Sequence, residues 1–124
     1  MDLVVLDHQS AVAPFEQVRA QLAAAIESGL LLPADRLPTV RALAADLGLA
    51  VNTVARSYRE LELVGLVETN GRHGTFVASD TSVARRQAVI EARAFVARVR
   101  ELGIGEAEMM AILRRQTSGG LGES

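Results

Sequence analysis

The chain lacks cysteine, tryptophan and lysine altogether. Without cysteine, disulfides, thiolate metal sites and cysteine nucleophiles are excluded. Aromatic residues make up only 3% of the 124 residues while hydrophobic residues make up 49%, so the core must be built from Leu, Val, Ala and Ile. All 13 basic residues are arginine, which suits bidentate recognition of phosphates and base edges but is as easily a product of genomic codon bias.

Long apolar runs are also absent. No stretch approaches the roughly 18 residues that span a bilayer, and the first ten residues lack the basic segment of a signal peptide, so we expect a cytoplasmic protein with no membrane partner. The chain has no phosphate-binding loop, nucleophile elbow, paired histidines or metal-ligand cluster, and we predict no enzyme activity, cofactor or metal. The net charge of −2 argues against a generic polybasic nucleic-acid binder, and residues 1–79 hold six arginines against nine acidic residues.

Residues 37–77 nevertheless have the organisation of a DNA reader. Pro38-Thr39 is a helix start signal, apolar residues then recur on one helical face to Leu47, and Gly48 can close that helix in the left-handed conformation. A second helical pattern begins only two residues later and runs from about Val51 to Val64. The spacing predicts a helix-turn-helix.

The second helix has two different sides. Its predicted packing side carries Val51, Val54, Tyr58 and Leu61, and its opposite side carries Asn52, Arg56 and Arg59. Asn and Arg can hydrogen-bond the edges of adenine and guanine, and Thr53 can contact a phosphate or a thymine methyl. Arg41, at the start of the preceding helix, could reach a base edge or a phosphate. An alternative for Arg56 and Arg59 is a solvated surface with ion pairs to Glu60 and Glu62.

A β-hairpin wing follows. Apolar and β-branched residues on both sides of Asn70-Gly71 predict two short strands, and Arg36-Leu37 could add a third. The tip carries Arg72, His73 and Gly74, which suit close approach to a phosphate or the minor groove. His73 could equally be a solvated loop residue.

The motifs of this stretch, taken in order, resemble one family. They are Pro14, LPTVR at Leu37–Arg41, NTV at Asn52–Val54, RELELVGL at Arg59–Leu66 and HGTFV at His73–Val77. Their order and spacing are similar to the winged-helix domain of GntR-type bacterial transcription regulators over about residues 12–79. The resemblance implies a mostly α fold with a small hairpin wing (α+β). It also implies a non-enzymatic repressor that binds double-stranded DNA at a palindromic operator. Ala50 and Val51 depart from the family's usual Ser or Thr followed by Arg, so an N-cap and a base-reading cation are missing.

The segments on either side complete the predicted domains. Residues 1–13 are expected to be an edge strand or an extended arm, and Pro14 to about Ser28 the first helix, with Leu30–Leu32 tucked under the domain. A polar linker after Val77 marks the predicted boundary, giving a DNA-binding domain at 1–79 and a helical dimerisation element at 80–118. The element contains a helix from Val83 to about Leu102 and one ending near Gln116. Residues 119–124 are predicted to be a disordered tail.

The C-terminal pair is similar to the YtrA-type subfamily, whose short helices dimerise. We therefore predict a homodimer. A small apolar effector could lie between these helices and the winged domain, lined by Phe95, Val99, Met109 and Met110, although the same residues are explained by packing. The alternative to a DNA-binding regulator is a winged helix that binds another protein.

Overall fold

The computed structural model describes residues 3–123 of the chain, with side chains to residue 118. It confirms a mostly helical fold with one two-stranded antiparallel hairpin. Two compact units are present, Met1–Ile90 and Glu91–Ser124, and we call the first the winged unit. In chain order the elements are α1 (Pro14–Glu27), α2 (Val40–Leu47), α3 (Val51–Leu63), β1 (Val67–Thr69), β2 (Thr75–Val77), α4 (Val83–Glu101) and α5 (Glu106–Glu123).

The core of the winged unit lies where α1 and α2 pack on α3. Buried apolar side chains recur every three or four residues on α1 and α3, as one helical face requires, and α2 buries Leu43 and Ala44. The largest fully buried apolar ones are Val18, Leu22, Val54, Leu61, Val67 and Val77. Val51, which the sequence places on the packing side of α3, is instead exposed. It is the first residue of α3, so no preceding turn of that helix covers it.

The ends of α2 follow the predicted signals. The Thr39 hydroxyl accepts a hydrogen bond from the Ala42 N–H at 3.0 Å, which caps the start of the helix. Gly48 closes the helix with a φ of 66°, in the left-handed region that glycine adopts without strain. Local chemistry therefore fixes both ends of α2, and Gly48 begins the turn that leads to α3.

The N-terminal segment is an extended arm; residues 3–13 contain no strand. Two glutamines of α1 hold it. Gln21 Oε1 accepts from the Val5 N–H and its Nε2 donates to the Val5 carbonyl, both at 2.9 Å. Gln17 does the same for Asp7, at 2.8 and 3.0 Å. Val4, next to Val5, is buried in the core, so the arm is held by this contact and by glutamine side chains that take the place of a neighbouring strand.

The connection after α1 differs from expectation. Leu30 and Leu32 are 53% and 57% exposed, and only Leu31 packs against the core. The Leu32 N–H donates to the Asp35 carboxylate at 2.8 Å, and Ala34 adopts a φ of 70°. This tight turn directs two of the three leucines outward, so the prediction that they tuck under the domain is wrong.

The first part of α4 packs on the winged unit. Arg85 pairs with Glu68 of β1 at 3.1 Å, and Arg86 pairs with Glu27 of α1 at 3.3 Å. Gly65, at a φ of 77°, allows this close approach, because a Cβ there would lie 3.3 Å from the Arg86 Cα. The border between the compact units thus falls inside α4, after Ile90, and not at the polar linker that the sequence suggests.

The second unit contains the rest of α4, a turn at Gly103 and α5. The predicted helix end near Gln116 is wrong, because α5 continues to Glu123 through the backbone of most of the predicted tail. The Thr117 hydroxyl donates to the carbonyls of Leu113 and Arg114 within this helix, and each glycine that follows costs only about 1 kcal/mol in a helix. Ser124 lies outside the described residues. No helix in residues 3–123 is both long and apolar enough to cross a membrane.

Candidate DNA interface

Two buried side chains fix α3 in the winged unit. The Ser57 hydroxyl, fully buried, donates to the Phe15 carbonyl of α1 at 2.7 Å. The Tyr58 hydroxyl donates to the Pro38 carbonyl, just before α2, at 2.7 Å. Burial raises the pKa of Tyr58 to about 12, because ionisation would place a charge in the core. Each bond ties the back of α3 to a different neighbour, so the orientation of its outer face is determined.

The outer face of α3 carries the predicted polar residues. Asn52, Arg56 and Arg59 are exposed, and Thr53 is half-buried. The Arg56 guanidinium lies over the Phe15 ring, 3.6 Å from its centroid, in a cation–π contact that orients the side chain and leaves its charge uncompensated. The predicted alternative partners do not engage it: among the described residues, neither Arg56 nor Arg59 forms an ion pair. The Glu62 carboxylate accepts instead from the Thr69 N–H at 3.3 Å.

The start of α3 lacks a side-chain cap, as the residues at this position predict. Ala50 is the N-cap and makes no side-chain hydrogen bond. Arg41 is exposed in the first turn of α2, whose own cap is made by Thr39. An uncapped helix start has N–H groups that can donate to an anion.

The wing is a short antiparallel hairpin. Val67 pairs with Val77 and Thr69 with Thr75, and a single 3-10 turn, Gly71–His73, forms the tip. Arg72 and His73 are exposed on this turn. The third strand that Arg36-Leu37 could add is present as one isolated bridge, from Arg36 to Phe76.

Arg36 is a candidate DNA-contacting residue that was not predicted from the sequence. Gly74 adopts a φ of 110°, and a Cβ at that position would lie 3.0 Å from the Arg36 Nε. The guanidinium of Arg36 therefore lies against the wing glycine, and Arg36 is exposed. The bridge to Phe76 brings Arg36 to the wing, and the possible third strand at Arg36-Leu37 was the available signal.

Arginines in the winged unit divide into two groups. Three form ion pairs with glutamates: Arg19 with Glu16, Arg85 with Glu68 and Arg86 with Glu27. The hydrogen bonds of Arg19 lower the pKa of Glu16. The other five are exposed and, within the described residues, form no ion pair; they are Arg36, Arg41, Arg56, Arg59 and Arg72. Four lie on α2, α3 or the wing and Arg36 bridges to the wing, so within the described residues of the winged unit the unpaired arginines are confined to this region.

The four residues proposed for an effector lie in the second unit. Val99 and Met109 are buried there, Phe95 is half-buried and Met110 is exposed. Burial of Val99 and Met109 is what packing near the Gly103 turn requires. A cavity in the winged unit, between α1 and the start of α4, is lined by other residues.

Comparison with known proteins agrees with this geometry. A family model described as bacterial regulatory proteins of the gntR family matches residues 14–77. The HTH-type transcriptional regulator Rv1152 of Mycobacterium tuberculosis is 42% identical over 113 residues, covering 90% of this chain and 92% of that protein.

Two solved structures are also similar. YtrA from Sulfolobus acidocaldarius, a GntR-family transcription factor, has a TM-score of 0.61 and 29% identity, covering 77% of this chain and 99% of that one. AraR(DBD) in complex with operator ORX1 has a TM-score of 0.55 and 26% identity, covering 60% of this chain and 94% of that one. The family model covers more than half of the chain and the similarity to YtrA extends past it, and the chain therefore belongs to the GntR family of bacterial regulatory proteins, among its YtrA-type members.

Proposed function

We propose that this protein is a cytoplasmic, homodimeric transcription repressor that binds an inverted-repeat operator through α3 and the wing. The observation that carries the proposal is the position of its unpaired arginines. Five exposed arginines without a carboxylate partner lie on α2, α3 and the wing or bridge to the wing, while the arginines elsewhere in the winged unit are paired. Phosphate contacts supply most of the non-specific affinity of a DNA-binding protein, so the location of free cations matters more than the net charge of −2.

In this proposal α3 enters the major groove. Asn52 and Arg56 are exposed on its first two turns, where a recognition helix contacts base edges, and Arg59 lies one turn further along. The contact with Phe15 limits the conformations of Arg56 and so lowers the entropy lost when it binds a base or phosphate. Thr53 and the uncapped N–H groups at the start of α3 suit a phosphate of the adjacent strand.

The remaining contacts come from both sides of α3. Arg41, in the first turn of α2, contacts a base edge or a phosphate. At the wing, the DNA is contacted by Arg36, Arg72 and His73, and Gly74 allows the backbone to approach the DNA closely. Contacts of this kind fix the register of the protein on the duplex.

Dimerisation is assigned to the second unit. Leu102 and Met110 are 75% and 43% exposed in the single chain, and Leu113 is exposed too, so an apolar surface lacks cover in one copy. A symmetric second copy would cover it and let two winged units read successive half-sites at nearly one entropic cost. An effector contacting Phe95, Val99, Met109 and Met110 stays a prediction.

The DNA-binding proposal is tested by gel shift with the promoter of the protein's own operon. Asn52→Ala and Arg56→Ala should each cost about 1 to 3 kcal/mol and relax specificity at one operator position. Arg115→Ala, an exposed arginine of α5, is the control and should leave affinity unchanged. The alternative, a protein-binding winged helix, predicts no shift even at low salt, and that result would overturn the proposal.

The dimer is tested by light scattering on the full chain. Met110→Asp places a charge in the exposed apolar surface and should yield monomers, whereas Gln116→Asp adds the same charge to a polar exposed position of the same helix and should not. Val99 is a poorer probe, since it is already buried within one copy. A Met110→Asp protein that remains dimeric would refute this assignment of the interface.

A further inference from the structure

A cavity of about 330 Å³ lies in the winged unit on elements that the DNA-binding proposal does not use. Its walls are the later turns of α1, the segment from Val64 to Leu66, and the first two turns of α4. The volume is at the lower end of that of small-molecule sites, about 300 to 1,000 Å³. It is large enough for a ligand of a few carbon atoms with one polar group.

The lining is divided between aliphatic and charged side chains. The aliphatic part is supplied by Ala23, Val64, Leu66, Val83 and Ile90, and the last two are among the large hydrophobic residues that the winged unit leaves exposed. The charged groups in the lining are Arg19, Arg86 and Glu27. Glu16, outside the lining, is the partner of Arg19, so Arg86 is the cation that a ligand could engage. An apolar body with a single negative charge matches Arg86 and the aliphatic part.

The three charged groups differ in how firmly they are already paired. Arg19 makes two hydrogen bonds to the Glu16 carboxylate, so that side of its guanidinium is not available to a ligand. Arg86 donates from Nε to the Thr81 carbonyl at 3.1 Å and holds Glu27 by only one bond, of 3.3 Å from its NH1. The Glu27 side chain is 52% exposed, and such a surface pair is worth no more than about 1 kcal/mol. A ligand carboxylate could therefore displace Glu27 from Arg86 at small cost.

We propose that this cavity binds a small amphiphilic carboxylate. Its carboxylate replaces Glu27 as the partner of the Arg86 guanidinium, and its aliphatic body lies against Ala23, Val64, Leu66 and Ile90. Because Arg86 and Glu27 join α4 to α1, a bound ligand changes a link that holds the start of α4 on the winged unit. The binding site itself does not depend on the proposed DNA function.

The test is a two-dimensional NMR titration of the full chain with hexanoate. Amide signals of α1 around Ala23, of Val64 to Leu66 and of the start of α4 should shift in a saturable way. Hexanamide, the neutral isostere, and hexylammonium should bind at least about tenfold more weakly, since a hydrogen bond to a charged group contributes about that ratio. Equal binding of hexanoate and hexanamide, or shifts confined to other residues, would overturn the proposal.

Two variants with opposite expected effects sharpen the test. Arg86→Gln should weaken hexanoate binding by about tenfold or more. Glu27→Gln removes the competing carboxylate and should strengthen binding by about three- to tenfold, an outcome that misfolding cannot imitate. Arg93→Gln, on α4 outside the lining, is the control and should leave binding unchanged. If both Arg86→Gln and Glu27→Gln bind hexanoate with the affinity of the wild type, the proposed site is refuted.

Discussion

Titration of Tyr58 gives the sharpest physical prediction, because few other side chains change charge in the same pH range. Tyr58 is the only tyrosine, and the chain contains no lysine and no cysteine. Between about pH 9 and 12, Tyr58 is therefore the one side chain expected to change charge before the arginines do. Burial raises its pKa from 10.0 in the unfolded chain to about 12 in the folded protein.

The sign of the stability change follows from this difference. The folded state prefers the protonated phenol, so the contribution of Tyr58 is fully present below about pH 10 and is lost as the pH rises through 10 toward 12. A difference of about two pKa units corresponds to about 2 to 3 kcal/mol of unfolding free energy. Ionisation also removes the proton that Tyr58 donates to the Pro38 carbonyl, so the link between α3 and the start of α2 weakens in the same range.

Two measurements check the prediction. The near-ultraviolet absorbance of tyrosinate should give a midpoint near pH 12 in the native protein and near pH 10 in denaturant. In denaturant unfolding, the free energy of unfolding of the wild type should fall between pH 10 and 12. In Tyr58→Phe the part of this decrease that comes from tyrosine ionisation should be absent. A native midpoint near pH 10 would contradict the burial and hydrogen bonding described for α3.

Three further substitutions test separate parts of the structure. Gly74→Ala should weaken DNA binding measurably in a gel shift while the rest of the fold remains. The reason is that a side chain at a φ of 110° is strained and its Cβ would meet the Arg36 guanidinium. Unchanged affinity would argue against a contact at the wing tip. Gly48→Ala should lower the unfolding free energy by about 1 kcal/mol, since alanine disfavours the left-handed conformation at φ 66°, and an unchanged melting temperature would argue against that conformation. Gln21→Ala should speed hydrogen exchange of the Val5 amide by about tenfold, since that amide loses its acceptor, and unchanged protection would show that the arm is held in some other way.

Local signals made the central part of the fold predictable. Thr39 and Gly48 define the ends of α2, and the apolar spacing from Val54 to Leu61 defines the buried side of α3. The wing was foreseeable from Asn70-Gly71 between apolar runs, although the tip is a 3-10 turn with five residues between the strands. In each case the chemistry that determines the structure lies within a few neighbouring residues.

Features that depend on distant residues were not predictable in the same way. Leu30 and Leu32 look like core residues in sequence, but a turn closed by Asp35 directs them to the surface. The border inside α4 follows from the close approach at Gly65, and the position of Arg36 on the wing depends on the single bridge to Phe76. The end of α5 was not predictable from the sequence because glycines such as those near the C-terminus more often end a helix than continue it.

On the proposed function, the position of the unpaired arginines, and not the net charge, gives this protein its affinity for DNA. Two triple variants of equal charge test it: Arg41→Gln, Arg56→Gln and Arg72→Gln together, and Arg19→Gln, Arg85→Gln and Arg86→Gln together. Their affinities for promoter DNA are measured by fluorescence anisotropy over a range of salt concentrations, after circular dichroism has verified their folding.

The first triple removes exposed, unpaired arginines, and we expect it to lose at least about a hundredfold in affinity and to flatten the salt dependence by about two to three units of slope. The second removes arginines already paired with glutamates, and its affinity should stay within a few-fold of the wild type. Equal losses in the two triples would show that only total charge matters and would contradict the account.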